Sequence, residues 1–159
     1  MEESLEMHGK FRIEALDAKT GQLLWAKDYK NLLTNQSQAV RSQMLRGVYT
    51  GGNNYLKINY FALGTGTTAP SVSQTQLANE QFRKQVTQRT ASGYDVITTC
   101  SIGAGEANFH IYEIGVFCGD SATDTADTGL MLSRVLVDID KNSNMILNII
   151  RTDICLINQ

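Results

Sequence analysis

Residues 62–84 read ALGTGTTAPSVSQTQLANEQFRK. A strand-like run stops at Gly64-Thr65-Gly66, the chain's single proline follows at Pro70, and a polar segment leads on to Glu80 and Arg83. A glycine-rich turn between a strand and a helix can cradle phosphate on its backbone N–H groups. That use needs a lysine and a Ser or Thr after the second glycine, because the ammonium and a hydroxyl-held Mg²⁺ carry the phosphate charge. Here Gly66 is followed by Thr-Thr-Ala-Pro, and no lysine occurs before Lys84. The third glycine and the βαβ setting of a dinucleotide fold are also missing. The nucleotide reading falls, and no cofactor is expected. What remains is a turn that carries the chain out of one sheet.

The flanking sequence is rich in period-two runs. KFRIEAL (10–16) places Phe11, Ile13 and Ala15 on one side, and LLWAKDYK (23–30) repeats the pattern after the turn residues Asp17 to Gly21. Further strands are expected over 55–63, 84–91, 95–102, 109–118, 130–140 and 145–157. Two helices are expected. The first covers about 35–46, capped by Thr34 or Asn35, with Val40 and Met44 on one face and Gly47 as the stop. The second covers about 75–83, started by Ser73 or Thr75. Gly51 to Asn54 reads as a loop, as does the polar stretch GDSATDTADTG at 119–129. The fold class is therefore mainly β, an antiparallel sandwich or barrel-like domain with two short helices.

A chain of 159 residues fits one domain, and at that size roughly 68–70% of the unfolded surface is buried. We expect one domain over 1–159, with residues 1–9 a flexible amino terminus. With 42% hydrophobic and 19% charged residues the composition is globular. A net charge of −2 offers no basic footprint for nucleic acid. No apolar run approaches the ~20 residues of a membrane span. MEESLEMHG lacks the basic-then-apolar order of a signal peptide. Neither nucleic acid nor membrane is expected as a partner, and synthesis in a cytoplasm is.

Catalytic and metal chemistry find little to stand on. Cys100, Cys118 and Cys155 are odd in number and far apart, without paired CxxC spacing, and each sits in an apolar run where a free thiol acts as a small hydrophobe. His8 lies near the amino terminus. His110 sits mid-strand beside Tyr112 and reads as structural. Neither has a GxSxG serine to partner it. Asp120, Asp124 and Asp127 do not match the spacing of an EF-hand loop. No catalytic, metal or cofactor residue is assigned, and the protein is expected not to be an enzyme.

Glu113 stands out. Period two in FHIYEIGVF places it with Phe109, Ile111 and Phe117, while Tyr112, Ile114 and Val116 take the other face. A strand apolar on both faces is covered on both sides, and a carboxylate there needs a partner to stay ionised. The cation expected is Arg83, presented with Glu80 by the second helix. A buried ion pair that locks the fold is preferred over a catalytic acid.

Taken together, Gly64, Gly66, Pro70, Leu77, Glu80 and Arg83, then Glu113-Ile-Gly115-Val-Phe117 and LMLSRVLVDIDK, form an ordered set. This set resembles a group of small structural proteins of tailed bacteriophages, and also the amino-terminal attachment domain of phage tail-collar fibre proteins. The likeness covers roughly residues 30 to 141. It implies that Gly64, Gly66, Pro70, Glu80, Arg83, Glu113 and Gly115 are structural residues, and that the 62–84 stretch is architectural. It further implies a virion protein that binds other phage virion proteins and itself, as a homo-oligomer of three-fold or six-fold symmetry. A fibre would run on past this domain into a shaft, so a tail or baseplate component, or a fibre-attachment adaptor, is expected. A capsid decoration or head-fibre protein is the alternative, and a host-surface glycan-binding module a further one.

Overall fold

The computed structural model describes residues 9–48 and 56–154. Of the terminus expected to be flexible over 1–9, residues 1–8 lie outside that range, as do the loop at 51–54, His8 and Cys155, whereas Gly9 is the first residue of a strand. Among the described residues, ten strands and one helix follow in chain order: β1 (Gly9–Asp17), β2 (Leu23–Lys30), β3 (Leu32–Leu33), α1 (Asn35–Leu45), β4 (Ile58–Gly64), β5 (Glu80–Gln85), β6 (Gln88–Ser92), β7 (Asp95–Ile102), β8 (His110–Cys118), β9 (Leu130–Asp140) and β10 (Met145–Asp153). They build two antiparallel sheets of five strands, ordered β2-β1-β10-β7-β6 and β3-β9-β8-β4-β5. The sheets do not close into a barrel. Their facing sides share one core, in which Phe11, Ile13 and Ile149 of the first sheet meet Phe61, Leu63 and Ile114 of the second. Phe11 meets Phe61 edge-on, with ring centroids 6.2 Å apart.

Local chemistry explains much of this. In the β1–β2 hairpin the Asp17 carboxylate accepts hydrogen bonds from the N–H groups of Lys19 and Thr20 and from the Thr20 hydroxyl. Those bonds, the Thr20 N–H first, hold its pKa below the usual carboxylate value. Thr34 caps α1 by accepting from the Ser37 N–H at 3.2 Å. Gly47, at φ +67°, ends the helix in the left-handed region, where glycine adds no steric cost. Its N–H reaches the Met44 carbonyl and that of Val48 the Gln43 carbonyl. Of the expected apolar face only Val40 is buried, and Met44 is exposed.

Three expectations fail. The second helix does not form: 65–79 is an irregular segment, and Glu80 to Gln85 is strand β5. The expected strand at 84–91 is two strands in different sheets, β5 beside β4 and β6 beside β7. The chain changes sheets at Val86 and Thr87, whose N–H groups bond the Asn59 and Thr99 carbonyls. Buried Val86 fills the corner. Finally, register breaks within the β8–β9 pair upset simple alternation. Ile111 joins Ile114 and Val116 in the main core, while Phe117 belongs to a second cluster with Ala62, Leu77, Ala122 and Met131.

Candidate functional site

That second cluster lies on the face of the β3–β5 sheet turned away from the main core. Two connections cover it, the 65–79 segment and the 119–129 loop. Each is held by a buried ion pair.

The 65–79 segment is a strap. It leaves β4 at Gly64 and crosses β8 and β9. At Val72 its carbonyl accepts the Asn35 N–H at the start of α1, 2.7 Å away. It then returns to β5. Glu113, on β8, sits beneath it with its side chain 0% exposed. Oε1 accepts from the N–H groups of Gly66 (3.0 Å) and Asn79 (2.7 Å). Oε2 accepts from the Ala78 N–H (3.0 Å) and from Arg134 Nε (2.7 Å). A carboxylate offers about four lone-pair directions, and here all four are filled. Nothing remains on Glu113 for a substrate, and no water reaches it.

Arg134 extends the clamp. Its Nη1 donates to the Thr68 carbonyl at 2.9 Å and to Gln74 Oε1 at 3.1 Å. Gln74 Oε1 in turn accepts the Ser71 N–H at 2.8 Å. Both ends of the strap and its middle are therefore pinned by one ion pair.

This arrangement accounts for the glycines. Gly64, Gly66 and Gly115 have no left-handed φ, so their role is space rather than turn conformation. A Cβ on Gly64 would stand 2.5 Å from both the Asn79 carbonyl oxygen and Glu113 Oε1. On Gly66 it would meet Ala78 Cβ and Glu113 Oε1, each at 2.5 Å, and on Gly115 Leu77 Cδ2 at 2.8 Å. The strap lies on the sheet only because these positions lack side chains. Pro70 lies in the strap between Thr68 and Ser71, with an ordinary trans peptide bond.

The expected Glu113–Arg83 pair is corrected by the geometry. Glu113 pairs with Arg134, and Arg83 pairs with Glu80. Arg83 Nε and Nη2 meet the two Glu80 oxygens at 2.7 and 2.9 Å, a bidentate fork with the side chains 1% and 4% exposed. Residues three apart share a strand face here because the β4–β5 register shifts between Leu63 and Gly64. Arg83 Nη1 then donates to the carbonyls of Thr123 (3.1 Å) and Thr128 (2.8 Å). Its guanidinium carbon lies 4.3 Å from the centre of the Phe117 ring. Glu80 Oε2 takes the Asp127 N–H at 3.3 Å, where Asp127 holds φ +61°. The loop that composition marked as merely polar is thus fastened to β5.

Arg134 is the residue that pattern reading missed. Its signal was present: a lone cation inside the apolar run LMLSRVLV must find a buried anion. Arg151, fully buried on β10, is a second such case. It forks onto Asp153 and donates to Ser133 Oγ at 2.6 Å, linking the two sheets.

The remaining candidates separate. Cys100 and Cys118 are buried free thiols, and burial pushes each pKa up to about 12. His110 is partly exposed, stacks on Tyr112 at 4.2 Å and bonds Asp138 Oδ1 through Nε2 at 2.5 Å. Among the described residues, no three His, Cys, Asp or Glu side chains gather to hold a metal ion, and no helix is long and apolar enough to cross a membrane.

One cavity of about 290 Å³ opens at the end of the sandwich, between α1, the start of β4 and strands β7 and β10. Neither clamp touches it. Compared with protein-family models, with curated proteins and with solved structures, the chain shows no significant match.

Proposed function

We propose that this protein is a non-enzymatic structural component of a tailed-bacteriophage virion, built into the tail, baseplate or fibre attachment, and that it works by oligomeric assembly. One observation carries the reading. Most of the residues on which the phage resemblance rests gather on one outer face of the β3-β9-β8-β4-β5 sheet, in two clamps. Gly64 and Gly66 pack on Glu113, Gly115 packs on Leu77, and Arg83, held by Glu80, covers Phe117. A shared sequence pattern whose members fasten two connections over one sheet face is what a common scaffold requires, and a scattered pattern would not support it.

The chemistry agrees with a scaffold role. The buried carboxylates Glu113 and Glu80 fasten loops, and ion pairs of this kind fix a single arrangement of the chain rather than add much net stability. On this reading the ordered strap and loop present a rigid face to neighbouring virion proteins. The assay is sedimentation equilibrium of the purified protein. A species of three or six chains of 17.6 kDa is expected, alone or on mixing with its neighbours. A monomer at all concentrations that joins no complex with particle proteins overturns the proposal.

A further inference from the structure

Among the described residues the two sheets end on β2, β6, β3 and β5. A sheet edge attracts strands from other chains, and proteins blunt it with lysines, register breaks or very short strands. Three of these edges are blunted. β2 carries Lys27 and Lys30, and its register with β1 breaks between Ala15 and Leu16. β5 carries Lys84, and its register with β4 breaks between Leu63 and Gly64. β3 has only two residues.

β6 has none of these features. It reads Gln-Arg-Thr-Ala-Ser, without lysine, carboxylate or proline, and its register with β7 is unbroken. All five of its residues are exposed. Its one charge is held within the chain, where the Arg89 guanidinium donates to the Ile58 carbonyl at 2.7 and 3.1 Å and to Asn59 Oδ1 at 3.0 Å. The backbone is also aimed outward. Gly93 and Tyr94 form a two-residue turn between β6 and β7, closed by Ser92 opposite Asp95. The closing pair of such a turn is hydrogen-bonded, and bonded and non-bonded pairs then alternate along the ladder. Arg89 and Ala91 therefore take the non-bonded positions toward β7, and their N–H and C=O groups point away from the sheet.

We propose that β6 is a self-pairing edge, at which the β6 strands of two copies lie antiparallel about a two-fold axis through Thr90 and join two sheets into one. The inference rests on the oligomeric part of the reading above and supplies its contact. Such an axis must pass through a residue, because residues opposite one another share a face and faces alternate along the strand. Centred on Thr90, the pairing uses all five residues of β6. Arg89 of one copy exchanges backbone hydrogen bonds with Ala91 of the other, and Gln88 lies opposite Ser92. Thr90 meets Thr90 in a non-bonded position, with Cα atoms about 4.5 Å apart. Thr–Thr is a favourable cross-strand pair, and no like charges stand directly opposite one another. That neutrality fits the edge to a second copy of itself.

The test is sedimentation equilibrium of the full-length protein up to millimolar concentration. The unaltered chain should form pairs. Thr90→Lys and Thr90→Glu each place like charges opposite one another, and each should weaken pairing by about tenfold or more. An equimolar mixture of the two should restore it, which also shows that both variants fold. In a Cys155→Ser background, Thr90→Cys should cross-link into disulfide-bonded pairs on mild oxidation, and Ala91→Cys much more slowly. A monomer at millimolar concentration, association unchanged by both charges, or Thr90→Cys cross-linking no faster than Ala91→Cys would each overturn the proposal. A three- or six-chain species indifferent to Thr90 would overturn the β6 pair and leave the proposed function standing. A β6 pair in a protein that joins no particle complex would do the reverse.

Discussion

Replacing Glu113 with alanine removes the acceptor of four hydrogen bonds at once. Three come from the backbone of Gly66, Ala78 and Asn79, and one from Arg134. Hydrogen bonds to a charged group contribute ~1.5–3 kcal/mol each. Their plain sum overstates the cost, because the strap can lift and let water reach the freed N–H groups. What water reaches least is Arg134, 1% exposed and left without its anion. Removing one partner of a buried pair costs ~3–5 kcal/mol, and we expect Glu113→Ala to fall in that range. Arg134→Ala should cost a similar amount, since it strands the carboxylate and releases Thr68 and Gln74. The double variant should cost less than the sum by about 2–3 kcal/mol, the coupling of residues in one network. Urea denaturation of the four proteins measures this. Glu113→Ala combined with Arg83→Ala serves as the control, and should be additive within ~0.5 kcal/mol because the two belong to separate clamps. Coupling below ~0.5 kcal/mol for Glu113 and Arg134, or a Glu113→Ala loss under ~1 kcal/mol, would refute the clamp.

Gly64→Ala should destabilise by at least ~1–3 kcal/mol, the usual cost of overpacking, because its Cβ would meet the Asn79 backbone as well as Glu113; thermal melts check it. Gly115→Ala should also destabilise, by less, since its Cβ would meet the side chains of Leu77 and Phe117 and no backbone atom. Arg83→Ala should raise amide hydrogen exchange across 119–129 while leaving 65–79 protected; uniform change in both would show that the clamps are not separate. Stability should also fall in alkali. Between pH 9 and 12 the unfolded chain releases thiol protons that folded Cys100 and Cys118 retain, so the unfolded state binds fewer protons. Each thiol then adds a loss of ~1.4 kcal/mol per pH unit. A Cys100→Ala, Cys118→Ala protein should show a flatter profile between pH 9 and 10.5, whatever its starting stability.

Strand positions were legible because each run carries a local signal. Phe11, Ile13 and Ala15 alternate with polar residues and are fully buried, and Thr34 and Gly47 bracket α1 by cap chemistry alone. The 75–83 segment was misread for a physical reason. Its Leu77, Glu80 and Arg83 spacing mimics a helix, but the side chains meet through a strap and a shifted strand register. The split at Val86 was equally invisible, since a strand that changes sheets keeps its period. The pairing of Glu113 was half legible. Burial and the need for a cation followed from the apolar run, yet the choice of Arg134 over Arg83 rests on register between β8 and β9, where Gly115 faces Arg134. Non-local register of that kind leaves no mark in a single sequence.

The claim that this is a virion component is tested most directly by locating it. On the proposed function, particles of a phage encoding this chain, labelled with gold through a tag at the carboxyl terminus, should show the label at the tail end in three-fold or six-fold multiplicity. Label on the head would move the protein to the capsid surface. Particles that assemble, infect and contain none of it would contradict the account.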